Sequence, residues 1–354
     1  MRLSEEVRDG ERAVEDARRV AELLQISHHV VDFRTLFRRR VIDYFTASYA
    51  AGQTPNPCIA CNRYLKFFGL WEKAREFGAD FLATGHYARI LWNEALGRFQ
   101  LLKGRDAQKD QSYVLYHITP ELLPHLLLPL GDFAKTEIRA MAVDFGLPVA
   151  GKAESQEICF IADDNYGRFL REHCPGCLKP GDIVDQTGRV LGRHAGVPLY
   201  TIGQRRGLCI AAPDPLYVIG LDMVKNQVVV GSEEKVFRDT LTACDVNWLT
   251  GALLTAPRRI ETKIRYGPRT ALATVSPLDV ARVAVRFDTP QRAITPGQSV
   301  VFYDGDEVLG GGVIEGGDAR EKALIILAKS LAKRAYKVHN ERRRCRLVDR
   351  KSVV

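Results

Sequence analysis

Helices and strands alternate along the first part of the chain. Apolar positions recur at helical spacing in residues 14–24, 64–77, 111–116 and 135–145. Short apolar runs typical of strands occupy residues 28–33 and 80–84. Because strands alternate with helices, we predict an α/β domain with a doubly wound parallel sheet over residues 1–165. The chain opens directly on a helix, so we expect the first strand of that sheet to be missing.

The pattern changes after about residue 165. Short strands separated by glycine turns follow one another, for example at residues 180–185, 216–220, 228–231, 262–266, 281–287 and 298–303. Evenly spaced short strands with glycine turns are typical of small antiparallel barrels. We therefore predict a small, mostly β central domain over 166–225 and a C-terminal antiparallel β-barrel over 226–315. Residues 316–354 are predicted to form a basic helical tail.

Length and hydropathy narrow the class of protein. The 354 residues are enough for two or three domains. No apolar run approaches the roughly 20 residues that span a bilayer, and the charged N-terminus is not a signal peptide. We expect a cytoplasmic protein with no membrane partner, whose eight cysteines are mostly reduced thiols.

The formal charge of +8 is concentrated at one end of the chain. Residues 316–354 hold 12 Lys or Arg against 4 Asp or Glu, whereas the remaining residues hold 39 of each sign. Any basic surface on the body of the protein must therefore be a local patch.

The pair Cys58-x-x-Cys61 has several interpretations. With Cys174 and Cys177 it would complete a four-cysteine zinc site, although more than one hundred residues separate the pairs. As a redox pair it lacks the usual flanking sequence. Alternatively, Cys61 is a nucleophilic thiol on a loop that prolines stiffen, or a buried loop cysteine. Cys159 lies among polar neighbours and needs a lowered pKa to react, which the sequence alone does not supply.

Three further segments have residues suited to ligand contact. His86, in Thr84-Gly85-His86-Tyr87, follows a predicted strand, where doubly wound sheets bind ligands, but a structural histidine is also consistent. The segment 109–112 begins a predicted helix and offers a cation for phosphate, or simply caps that helix. Arg205-Arg206 and Arg265-Tyr266 pair cations with aromatic residues, as RNA-binding surfaces do, or form exposed turns.

Taken in order, these segments resemble the tRNA-specific 2-thiouridylase family. The resemblance covers about residues 12–314. Its matching motifs are Val14-Glu15-Asp16-Ala17-Arg18, Thr54-Pro55-Asn56-Pro57, Cys61-Asn62, Thr84-Gly85-His86-Tyr87-Ala88-Arg89, Lys109-Asp110-Gln111-Ser112-Tyr113, Ser155-Gln156-Glu157-Ile158-Cys159-Phe160 and Pro180-Gly181-Asp182-Ile183-Val184.

The resemblance implies an enzyme, a tRNA-uridine 2-sulfurtransferase, whose first domain is a PP-loop ATPase. ATP, with Mg, would adenylate the C2 oxygen of the wobble uridine in tRNA. Cys159 would carry a persulfide delivered by a sulfur-relay protein or cysteine desulfurase. Its terminal sulfur would attack C2 directly, or after Cys61 releases it by forming a Cys61–Cys159 disulfide.

The resemblance also implies roles for individual residues. Gly85 would contact ATP, and Cys61 and Cys159 would be catalytic. No residue is assigned to a metal. The residues expected to contact tRNA, of which the first three face the target base, are Asn56, Pro57, Cys58, His86, Lys109, Asp110, Gln111, Arg265, Tyr266 and Gln298.

This chain departs from the family pattern in three places. Many members have Asp at the position of Cys58, so Cys58, Cys61 and Cys159 could instead hold an iron–sulfur cluster that activates sulfur. The Ser-Gly-Gly-x-Asp-Ser phosphate loop does not occur before Val14, so we expect weak or no ATP binding and impaired thiolation. The alternative function is then a non-catalytic tRNA-binding remnant. Residues 316–354 extend past the family's barrel and would bind RNA or be an unrelated addition.

Overall fold

The N-terminal region is built from helices around a very short parallel strand pair. The structure is a computed structural model, and it describes the backbone of residues 3–151, 158–161 and 163–316. The helices are α1 (Leu3–Leu23), α2 (residues 34–50, with a π-helical part at Arg38–Ile42), α3 (residues 57–76, with a π-helical part at Asn62–Gly69), α4 (Lys135–Asp144) and α5 (Tyr166–His173). The predicted helices at 14–24, 64–77 and 135–145 are thus present.

The parallel strands of this region are β1 (Leu82–Ala83) and β4 (Leu126–Leu127), which pair in register. Residues 28–33, predicted as a strand, pair with no described strand. His29 instead stacks on Phe77 with ring centroids 4.7 Å apart. With Val30 64% exposed, this segment has no core face for a strand to bury.

A small sheet forms the middle of the chain. Its strands are β5 (Gly181–Val184), β6 (Val190–His194), β7 (Tyr217–Asp222) and β8 (Gln227–Gly231), in the order β6-β5-β8-β7. Alternate side chains such as Ile183, Val228 and Val230 are fully buried in its own core. The predicted boundary at residue 225 placed β8 with the barrel, but its pairing and its valines belong to the middle sheet.

The C-terminal strands close into a six-stranded antiparallel barrel. They are β9 (Phe237–Trp248), β10 (Arg258–Lys263), β11 (Ala271–Asp279), β12 (Arg282–Arg292), β13 (Ser299–Asp304) and β14 (Glu307–Ile314). Pairing of β13 with both β10 and β14 closes the ring, which leaves no open edge between these strands. The predicted antiparallel barrel is confirmed.

Strand β13 explains how the barrel attaches to the N-terminal region. Val300 and Phe302 face the barrel interior, whereas Val301 and Tyr303 pack in the N-terminal core with Tyr113 and Tyr116. Because side chains alternate across a strand, one strand serves two cores, and five of its six residues are buried. The two regions are therefore held together by apolar packing.

A hairpin of the N-terminal region extends the barrel sheet. Its strands are β2 (Ala88–Asn93) and β3 (Arg98–Lys103), and Leu102 of β3 pairs with Glu307 of β14. A glycine in β14 permits close packing nearby, since a Cβ at Gly311 would lie 2.7 Å from the Val300 carbonyl oxygen and 2.8 Å from Tyr116. The run Gly310 to Gly312 thus has a packing role.

No helix among the described residues is long and apolar enough to cross a membrane. The predicted helical tail at 316–354 lies, apart from its first residue, outside the described residues.

Candidate active site and RNA-contacting residues

Hydrogen bonds of Thr54 and Asn56 fix the loop that leads into α3. The Asn56 side chain accepts hydrogen bonds from the backbone N–H groups of Cys58 (3.1 Å) and Ile59 (3.4 Å), which caps the helix. Pro57 occupies the first helical turn, where a missing N–H costs nothing. The backbone N–H of Thr54 donates to the Pro296 carbonyl oxygen at 2.8 Å. These contacts therefore hold Cys58, the first cysteine of the segment, in an exposed position at the start of α3.

Three thiols share one electrostatic environment. Cys58 and Cys159 are exposed and Cys61 is half-buried. Desolvation by surrounding protein raises the pKa of all three, that of Cys61 to about 11. A Cys159 thiolate would further raise the pKa of both Cys58 and Cys61, so Cys159 lies within electrostatic range of the α3 thiols. The catalytic roles of Cys61 and Cys159 stay a prediction.

Lys66 is a charged group that sequence reasoning missed. It lies on α3, five residues after Cys61, and its positive charge lowers the pKa of all three thiols against the effect of desolvation. A cation near a thiol favours the reactive thiolate. The available signal was its place in the predicted helix at 64–77, five residues after Cys61.

The seven described cysteines are all free thiols. Within the described ranges no group of three or more His, Cys, Asp or Glu side chains is arranged to hold a metal ion. Residues 155–157 of the Cys159 motif lie outside the described residues.

His86 is a buried, neutral histidine. It is 7% exposed, and desolvation followed by the charge of Lys66 lowers its pKa to about 4. Its Nδ1 lies 2.9 Å from the Thr84 hydroxyl, and its ring packs against Phe67 at 5.3 Å. Gly85, by contrast, is exposed at the end of β1.

Asp110 lies in a buried polar cluster at the junction with the barrel. One carboxylate oxygen accepts from the backbone N–H groups of Gly104 and Ser112, each at 3.0 Å. The other accepts from the Ser112 hydroxyl at 2.9 Å and from Lys263 Nζ at 3.3 Å. The side chains of Asp110 and Lys263 are only 5% and 4% exposed, so this ion pair is removed from water.

Gln111 and Gln298 make structural hydrogen bonds. The Gln111 side chain accepts from the Tyr87 N–H at 2.9 Å, and its own N–H donates to the Tyr87 carbonyl at 2.8 Å. The Gln298 amide donates to the Thr54 carbonyl at 2.9 Å, which fastens the α3 loop to the barrel. Their predicted contact with tRNA stays a prediction.

The other predicted tRNA contacts are more accessible. Lys109 is half-buried beside Asp106, whose pKa its charge helps to lower. Arg265 and Tyr266 are exposed at the end of the barrel strand β10, where Arg265 donates to the Arg292 carbonyl and Tyr266 packs edge-on against Tyr113. These three residues form accessible cationic and aromatic surface.

Comparison with known proteins agrees with this layout. Three domain families match in chain order: a tRNA methyl transferase HUP domain over residues 4–163, a tRNA methyl transferase PRC-barrel domain over 167–232 and an aminomethyltransferase β-barrel domain over 238–314. The chain is thus a HUP-domain protein with two further β domains after it. The thiols of Cys58, Cys61 and Cys159 lie within the HUP domain.

Relatives define the family more narrowly. The tRNA-specific 2-thiouridylase MnmA of Pelotomaculum thermopropionicum is 52% identical over 303 residues, which cover 86% of this chain and 83% of the relative. That of Moorella thermoacetica is 53% identical over 304 residues, covering 86% and 85%. The chain belongs to the tRNA-specific 2-thiouridylase family, whose members thiolate tRNA.

Proposed function

We propose that this chain 2-thiolates the wobble uridine of tRNA, with Cys159 as the persulfide carrier and Cys61 as its partner thiol. The observation that carries the proposal is the shared environment of Cys61, Cys159 and Lys66 beside a capped, fixed loop. A Cys159 thiolate raises the pKa of Cys61, so the two thiols are within electrostatic range of each other, and the charge of Lys66 raises the thiolate fraction of both. Both features favour thiol–disulfide chemistry.

The sulfur step conserves atoms and electrons. The terminal sulfur of the Cys159 persulfide bonds to C2 of the uridine as the bond from C2 to its adenylated oxygen breaks, and that oxygen leaves as part of AMP. The Cys61 thiolate then attacks the Cys159 sulfur, and the sulfur–sulfur bond breaks toward the sulfur now on C2. A Cys61–Cys159 disulfide remains, and a cellular thiol must supply two electrons to restore both thiols.

Gly85 is the residue that we assign to ATP, which in this family supplies activation of the C2 oxygen by adenylation. Gly85 is exposed, and a Cβ there would meet only Leu130, at 3.4 Å, so its backbone is open to a ligand. Neutral His86 lies beside it and cannot add positive charge at physiological pH.

An iron–sulfur cluster would place the thiolates of Cys58, Cys61 and Cys159 on different irons of one cluster. Among the described residues, no group of three or more His, Cys, Asp or Glu side chains is arranged to hold a metal ion, so nothing in the site supports the cluster route. We derive no step through a cluster.

The exposure of individual side chains supports the proposed sulfur delivery and the proposed tRNA contacts. Cys159 is exposed, so a sulfur-relay protein or cysteine desulfurase can reach it. Exposed Cys58 and the Asn56 cap lie at the start of α3, where we place the target base. Arg265 and Tyr266 offer a cation and a ring for the RNA backbone and bases.

A thiolation assay tests the proposal. The chain is incubated with ATP, a persulfide source and unmodified tRNA, and 2-thiouridine is measured by mass spectrometry. We expect Cys61→Ser and Cys159→Ser each to abolish product, whereas Cys209→Ser, which removes an exposed thiol elsewhere, keeps it. Product formation by either variant of the pair would refute the two-thiol scheme. Binding of tRNA without thiolation by the unaltered chain would favour the non-catalytic RNA-binding function.

A further inference from the structure

A cleft of about 190 Å³ lies between the N-terminal helices and the barrel. Helix α2 contributes Arg39, Arg40 and Tyr44 to it, α3 contributes Arg63 and Tyr64, and the barrel contributes Asp245. None of these residues belongs to a motif used in the assignment of the thiol site.

The cleft carries an excess of positive charge. Arg63 pairs with Asp245, so one of its three arginines is neutralised. Arg39 and Arg40 are exposed and form no ion pair with the described residues. The body of the chain has no net charge, so two unpaired arginines at one cleft are a local site for anions.

One aromatic ring, that of Tyr64, lies against two of the three arginines. The Arg40 guanidinium lies over the Tyr64 ring at 4.9 Å from its centroid, and that of Arg63 lies over the same ring at 5.2 Å. These cation–π contacts favour one position for each guanidinium, and guanidinium planes are surfaces on which unstacked RNA bases pack.

His117 adds an uncharged polar group to the cleft lining. Burial, followed by the charge of Arg63, lowers its pKa to about 3, so the imidazole is neutral at physiological pH. A neutral imidazole has one donor and one acceptor nitrogen, which suits the edge of a nucleobase.

The cleft and the thiols lie on different faces of α3. Ile59, Ala60, Arg63 and Tyr64 line the cleft together with the cap residue Asn56, whereas Cys58, Cys61 and Lys66 do not. The cleft therefore adjoins the loop where we place the target base, but the thiols do not open into it. For this reason we place in the cleft a neighbouring nucleotide of the same strand and not the base that reacts at the thiols.

We propose that this cleft binds a nucleotide flanking the target uridine in the tRNA anticodon loop. Its base would pack on the Arg40 guanidinium, and its phosphate would contact Arg39 or Arg40. The inference rests on the proposed tRNA substrate. A free nucleotide is a poorer fit, because pockets for whole small ligands are usually about 300–1,000 Å³.

The test measures binding of the full chain to a fluorescent anticodon stem-loop RNA over a range of salt concentrations. Arg40→Ala should weaken binding about tenfold through lost stacking and reduce the salt dependence by about 0.7 of a counterion. Arg40→Lys should keep the salt dependence and lose the stacking, since it keeps charge without a plane. Arg75→Ala, an exposed arginine of α3 outside the cleft, is the matched control and should bind as the unaltered chain does.

Stem-loops that lack one base at a time locate the bound nucleotide. Removal of one flanking base should weaken binding to the unaltered chain and have little further effect on Arg40→Ala. If that coupling appears at the target uridine instead, the proposed placement is wrong. If Arg40→Ala binds like Arg75→Ala, the cleft does not hold RNA, and the proposed thiolation is unaffected.

Two further outcomes separate this inference from the function on which it rests. Adenosine monophosphate in excess should leave the RNA bound, and displacement that Arg40→Ala removes would assign the cleft to free nucleotides. Failure of the unaltered chain to bind any stem-loop would overturn both the cleft assignment and the tRNA substrate.

Discussion

Two regions of this molecule carry charged side chains, and they differ in whether those charges are paired. At the barrel junction, Asp110 and Lys263 are buried and every oxygen of the carboxylate is hydrogen-bonded. On α3, Lys66 is exposed and acts electrostatically on three thiols, and on α2 the exposed Arg40 lines the cleft between the helices and the barrel. Paired, buried charge stabilises the fold, whereas unpaired charge near a reactive or concave surface is available to a ligand. The sequence alone does not distinguish paired, buried charge from unpaired, accessible charge.

The largest expected effect is at the buried pair. Asp110→Ala should cost about 3–5 kcal/mol of unfolding free energy, because Lys263 would be left buried without a counter-charge. Urea unfolding measures it, with Asp132→Ala, an exposed carboxylate, as control. A loss below about 1 kcal/mol would show that Asp110 is not a structural residue and would favour its predicted contact with tRNA.

A second effect concerns pH. Because the folded pKa of His86 is about 4, below its usual 6.5, the unfolded chain binds more protons between these values. The free energy of unfolding should therefore fall as pH drops from 6.5 to 4, by about 3 kcal/mol from this residue. His86→Gln should remove this contribution and make that part of the profile less steep, while His117, whose pKa is about 3, still contributes to the slope. An unchanged profile would mean that His86 is accessible and able to take a proton in the folded state.

On α3, Lys66→Met should slow alkylation of the thiols severalfold at pH 8. Removal of the cation raises the thiol pKa, so less thiolate is present at that pH. The difference should vanish above about pH 11, the pKa of Cys61, provided the protein stays folded. Lys73→Met, whose lysine pairs with Glu76 on the same helix, is the control. Equal alkylation rates in both variants would remove Lys66 from the site.

The smallest effect is expected at Arg63 and Asp245. Their side chains are 31% and 53% exposed, so a double-mutant cycle with Ala should give an interaction of about 1 kcal/mol or less. A value near that of the Asp110 pair would remove the distinction between the two regions.

Local patterns predicted much of this architecture from the sequence. The helix at 64–77 and the C-terminal barrel follow from periodicity and glycine turns. Helix α3 starts earlier than predicted because Asn56 caps it at Pro57. The strand predicted at 28–33 has the right composition but no partner, which only the tertiary structure decides.

The long-range features were not accessible to sequence reasoning. Asp110 and Lys263 are 153 residues apart in the chain, and no pattern joins them. Both faces of β13 are buried because the strand packs between the N-terminal region and the barrel interior. The arginines of α2 come close to barrel residues only once the chain has folded. The cysteines were predicted because their motifs are local, whereas the effect of Lys66 on Cys159 required the structure.

The measurement that tests the central account most directly is peptide mass spectrometry of the chain after reaction. The chain is incubated with a cysteine desulfurase and cysteine, freed of the remaining cysteine, and then given ATP and tRNA without a thiol reductant. The account predicts a persulfide on Cys159 before tRNA is added, and a Cys61–Cys159 disulfide in step with 2-thiouridine afterwards. Thiouridine formed while both cysteines remain reduced, or a persulfide confined to Cys58, would contradict it.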